Sequence, residues 1–93
     1  MIKITKIELK ELLKSFNNIG VYIKMNGIIS GRITLHKLKC RYNKSDGILE
    51  LYDKISEDII KIETFMARTI LCSENKKIIQ IKLDNEEDIT IEL

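Results

Sequence analysis

Near the start of the chain a set of apolar residues falls at helical spacing. Leu9, Leu12, Leu13 and Phe16 recur at steps of three and four, which gathers them on one face of an α-helix. A readable cap precedes them. Thr5-Lys6-Ile7-Glu8 is a capping box, in which the Thr5 hydroxyl accepts from the Glu8 amide and Glu8 reaches back to the Thr5 amide. Ile4 and Leu9 stand at the staple positions around it, and Lys6, Lys10 and Lys14 stack on another face. Asn17-Asn18 and Gly20 end the pattern. A helix near residues 6–16 follows.

The period then changes from helical to two. Val21 and Ile23 alternate with Tyr22 and Lys24, and Ile29, Gly31, Ile33 and Leu35 continue an apolar face after Met25-Asn26-Gly27. A three-residue loop at Met25-Asn26-Gly27 pairs Ile23 with Ile29 and Ile19 with Ile33, and puts Gly27 where a left-handed residue is needed. Arg32 and Thr34 then point outward with Lys24 and Tyr22. Beyond His36 the parity reverses: Leu38, Cys40 and Tyr42 become the apolar set, and Lys37, Lys39 and Arg41 the outward set. A reversal in mid-strand means a bulge or sharp bend near His36-Lys37, the device by which small barrels close.

Lys44-Ser45-Asp46-Gly47 is a second turn. A four-residue loop there sets Arg41 opposite Glu50, with Leu49 and Leu51 inward. Ile60 and Ile62 mark a further strand, whereas residues 63–73 fit either a bent strand or a short helical turn. Ile79, Ile81 and Leu83 match Leu93, Ile91 and Ile89 through a loop at Asn85-Glu86-Glu87. The strands therefore fall near 19–25, 28–36, 38–43, 48–53, 58–63, 77–83 and 88–93. The fold class is mainly β with one N-terminal helix (α+β): a helix over residues 1–18 and an antiparallel meander over 19–93, closing as a small barrel in one domain.

Charge sharpens this picture. The net charge is +2, but residues 1–44 carry +8 and residues 45–93 carry −6. Such asymmetry implies an anionic partner for one face, head-to-tail self-association, or two halves that neutralise each other. The terminal strand 89–93 is a candidate sheet edge for self-association. Ile, Lys and Asn are frequent and Arg is rare, as in proteins of AT-rich bacterial or phage genomes. No apolar run reaches a membrane span, so no membrane partner is expected, and Cys40 and Cys72 read as small buried hydrophobes in a reducing cytoplasm.

The helix, the strand Val21-Tyr22-Ile23, the Asn26-Gly27 turn and the return arm Gly31-Arg32-Ile33-Thr34 resemble the Sm-like fold, and within it the bacterial Sm-like RNA chaperone Hfq. The resemblance covers residues 8–63. It implies a small Sm-like barrel, ring assembly through sheet edges and RNA binding. Three departures stand against it. The step from Asn26-Gly27 to Gly31 is one residue short. Tyr52-Asp53-Lys54 lacks the His of that family's Tyr-Lys-His element, so no uridine-binding role carries over. The chain also runs 30 residues past the matched stretch.

Catalytic chemistry is hard to assemble. His36 is the only histidine and falls among lysines, no Cys/His set has metal spacing, and four scattered glycines make no phosphate loop. The acidic run Asp84, Glu86, Glu87 and Asp88 lacks the spacing of a calcium loop. No enzyme, cofactor or metal is expected. Two binding readings remain. One is a protein-interaction module: a homo-oligomer, or an accessory or inhibitor protein of a mobile element. The other is nucleic-acid binding, with Lys24, Arg32, Lys37, Lys39 and Arg41 on phosphates and Tyr22 stacking a base. The same six residues could receive an acidic protein.

Overall fold

The computed structural model describes residues 1–27, 30–84 and 86–93. Among them, the elements in chain order are β1 (Ile2–Lys3), α1 (Lys6–Ser15), β2 (Val21–Asn26), β3 (Gly31–Leu35), β4 (Leu38–Asn43), β5 (Ile48–Asp53), β6 (Ile59–Glu63), β7 (Ala67–Cys72), β8 (Ile78–Leu83) and β9 (Asp88–Glu92). A 3-10 turn, Thr64–Met66, links β6 to β7. The fold is mainly β with one N-terminal helix, and all pairings are antiparallel.

The helix forms where its cap dictates. Glu8 N–H donates to Thr5 Oγ1 and Thr5 N–H to Glu8 Oε1, each at 3.1 Å. Leu9 and Leu13 are buried, and Ile4, Leu12 and Phe16 pack beside them. The strands form two sheets. The larger runs β1-β7-β8-β9-β2-β3 and the smaller β4-β5-β6. Their inward faces, together with α1, enclose one core that includes Leu13, Ile23, Leu35, Leu38, Leu51, Ile62, Ile79, Ile81 and Ile91. Among the described residues, no ladder closes the two sheets into a single barrel.

The parity reversal at His36-Lys37 is the passage between the sheets. β3 ends at Leu35 in the large sheet and β4 begins at Leu38 in the small one. Asp53 holds this bend. Alternation along β5 turns Leu49, Leu51 and Asp53 inward, so the carboxylate is fully buried. It accepts from His36 N–H (2.8 Å), Lys37 N–H (3.1 Å), Ile55 N–H (2.9 Å) and the Ser56 hydroxyl (3.0 Å). A buried carboxylate is tolerated only with such compensation. Burial by itself raises its pKa, but these bonds, that from His36 first, hold it well below the ordinary carboxylate range.

Two register expectations and one edge expectation are corrected. β2 and β3 pair Val21 with Leu35, Ile23 with Ile33 and Met25 with Gly31, not Ile23 with Ile29 or Ile19 with Ile33. The connection is thus longer than Met25-Asn26-Gly27, and Ile29 lies outside the described residues. Ile19 precedes the strand, half-exposed, and its carbonyl accepts from Leu38 N–H at 3.0 Å. In the last hairpin Ile79 meets Ile91 and Ile81 meets Ile89, two residues from the expected match; Asn85 of its loop lies outside the described residues. Finally, the terminal strand is no sheet edge, because β9 is paired on both sides, by β8 and β2.

The turn at 44–47 forms as read, and Arg41 faces Glu50 across β4 and β5. Asp46 Oδ1 accepts from Ile48 N–H at 3.1 Å, and Gly47 adopts φ +67°, where a Cβ would collide with the Phe65 ring. Residues 63–73 hold both alternatives at once, the 3-10 turn and then strand β7.

Candidate interaction surface

The six basic-face candidates do not share one surface. Tyr22, Lys24 and Arg32 stand on the outward face of the large sheet, with Lys24 directly opposite Arg32 and Tyr22 opposite Thr34 and Glu92. Lys39 and Arg41 stand on the outward face of the small sheet. Both sheets turn their inward faces to one core, so these two groups point away from each other. Lys37 sits exposed at the bend between them. Arg41 is also engaged: its Nη1 lies 3.8 Å from Glu50 Oε2, and its guanidinium 5.5 Å from the centre of the Tyr52 ring. The helix lysines serve rings as well, with Lys10 Nζ 4.9 Å from the centre of Tyr42 and Lys6 Nζ 5.8 Å from that of Phe65.

Reactive groups are dispersed. His36 is exposed at the bend, and both cysteines are free. Burial pushes the Cys40 thiol up to about 11 against a weaker pull from Lys14, so it stays protonated at neutral pH. Among the described residues no group of three or more His, Cys, Asp or Glu is placed to hold a metal ion, and no helix is long and apolar enough to cross a membrane.

The strand edges point elsewhere. A sheet edge offers unpaired N–H and C=O groups, and folds blunt it by shortness, charge or cover. β1 is two residues long, and β3 carries Arg32. β4 is covered: Asn18 N–H donates to Leu38 O at 2.9 Å, Leu38 N–H to Ile19 O, and α1 packs on the rest. β6 carries charge too, in Lys61 and Glu63, and is set apart by its uncovered five-residue length and the apolar groove beside it. It reads Ile59-Ile60-Lys61-Ile62-Glu63, and among the described residues only β5 pairs with it.

The hydrogen bonds at its ends fix which groups are unpaired. Asp53 N–H donates to Asp58 O at 3.0 Å and Thr64 N–H to Gly47 O at 2.9 Å. Antiparallel bonds fall on alternate residues, so 58, 60, 62 and 64 turn their backbone groups to β5. Ile59, Lys61 and Glu63 turn theirs away from it, to the open edge.

Beside that edge lies a groove of about 310 Å³ between the two sheets. Its apolar lining comes from Ile60 and Ile62 of β6, Met66 of the 3-10 turn, and Met25, Leu83 and Ile89 of the large sheet. Glu87 and Asp88 stand at its polar side, and Lys61 and Glu63 border it along the strand edge. The groove exists because a sheet of six strands is roofed by three strands and one helix. Ile59 at the start of the strand, Ile55 before it and Phe65 after it are 55%, 62% and 69% exposed. The residue pattern marked β6 as a strand, but could not show that its neighbour was missing. Comparison with protein-family models, curated proteins and solved structures finds no match for the chain.

Proposed function

We propose that the chain is a non-catalytic protein-interaction module that takes an extended segment along β6 by strand addition. The observation that carries this reading is the coincidence of a five-residue edge, unpaired among the described residues, with an apolar groove running beside it. In strand addition the backbone groups of Ile59, Lys61 and Glu63 supply main-chain bonds, and alternate side chains of the incoming segment enter the groove to supply specificity. The acidic excess around the groove favours a segment with basic residues between its apolar ones. Two free cysteines fit action in a reducing cytoplasm.

The test is selection of short binders from a random peptide library, followed by binding to a Lys61→Pro variant. Proline is tolerated at an edge position whose N–H faces outward, so the fold survives while one docking bond and the strand's outer contour are lost. Strand addition gives binders that alternate apolar and basic residues and lose affinity for Lys61→Pro. Binders indifferent to that change, or salt-dependent capture of single-stranded RNA by the wild type with no peptide binding, contradict the reading.

A further inference from the structure

The strand-addition reading leaves its partner open, and the sequence of β6 is complementary to itself. Two β6 edges can bond only where both present outward backbone groups, so whichever of Ile59, Lys61 and Glu63 bonds must face one of those three residues in the other copy. Charge then separates the antiparallel registers. Setting Lys61 opposite Lys61 places like charges face to face. Setting Ile59 opposite Lys61 leaves Glu63 outside the pairing and makes no ion pair, whereas the remaining register leaves only the uncharged Ile59 outside. Setting Lys61 opposite the partner's Glu63 makes two cross-strand ion pairs, related by a two-fold axis on which Ile62 meets the partner's Ile62.

We propose that β6 pairs with β6 of a second copy in this last register, which joins the small sheets into one continuous sheet, β4-β5-β6 followed by β6-β5-β4 of the partner. This rests on strand addition at β6 as the mode of contact. Lys61 and Glu63 are both exposed on the outward face, so their side chains are available for the pairs. The inward side chains of the added strand extend the roof of the small sheet over the groove lined by Met66, Leu83 and Ile89. The arrangement is isologous: each copy uses its β6 edge on the other, and assembly stops at two. A head-to-tail union of β6 with β3 would leave one edge of each kind free and continue as a filament.

Sedimentation of the wild type, Lys61→Glu, Glu63→Lys and an equimolar mixture of the two variants tests the register. The wild type is expected to be a dimer. Each single variant sets like charges opposite each other twice and is expected to be a monomer. The mixture restores both ion pairs and is expected to form a mixed dimer. Both positions are exposed, and circular dichroism of each variant verifies that the fold is kept. A wild type that stays monomeric at high concentration overturns the proposal, as does a dimer that either single variant leaves intact. Peptide binders that depend on an intact Lys61 backbone N–H, found with a monomeric wild type, would leave strand addition standing while this dimer falls.

Discussion

At the scale of single residues, Asp53 decides whether the passage between the sheets holds. Its inward place was readable from Leu49 and Leu51 at the same parity, but its donors His36 and Lys37 lie 17 and 16 residues away, beyond the reach of local pattern. Its pKa is lowered on folding, so its contribution is present above the unfolded value of about 3.9 and is lost as pH falls through the folded value. Acid titration of stability is expected to show a loss beginning near that unfolded value, and Asp53→Asn to flatten it while lowering stability at neutral pH. An unchanged acid profile in the variant would place the titrating group elsewhere. Gly47 makes a second residue-scale prediction. Gly47→Ala forces a Cβ at positive φ into the Phe65 ring, and a loss of at least about 1 kcal/mol is expected in denaturant unfolding.

At the scale of elements, what could be read depended on whether an error changes the face of a strand. A slip of one residue exchanges the two faces, so alternation forbids it. Slips of two or four keep the faces, and Ile23 has an apolar partner in Ile29 as well as in Ile33. The β8–β9 match failed by two residues for the same reason, whereas the Asp46-Gly47 turn pinned Arg41 to Glu50. Strand β7 was ambiguous because the 3-10 turn precedes it and a bulge between Ala67 and Thr69 breaks its alternation. The corrected β2–β3 register carries its own prediction. It sets Lys24 against Arg32, both exposed, and Arg32→Glu converts that repulsion into attraction, with a gain of about 0.5 kcal/mol expected in thermal or denaturant unfolding. The opposite sign would argue that the outer face of the large sheet is acidic enough to need Arg32.

At the scale of the whole molecule, one helix and three strands roof six strands, and the shortfall appears at β6. The charge division between the halves was plain in the sequence, but the basic residues separate onto opposing faces because the ribbon crosses from one sheet to the other at His36-Lys37. Hence the basic candidates were legible as residues and not as a surface, while the groove joins Met25, Ile62, Met66 and Leu83 from distant parts of the chain. Core packing is expected to respond ordinarily: Ile81→Ala, at a fully buried site, should lose about 2–5 kcal/mol in denaturant unfolding. The claim that β6 is the contact surface is tested most directly by residue-resolved amide hydrogen exchange, with and without a selected peptide on the dissociated chain. Strand addition predicts that the amides of Ile59, Lys61 and Glu63 gain protection together, while Ile60 and Ile62, already bonded to β5, and Lys24 and Arg32 change little. Protection gained across Tyr22, Lys24 and Arg32, with β6 unchanged, would contradict it and move the interface to the outer face of the large sheet.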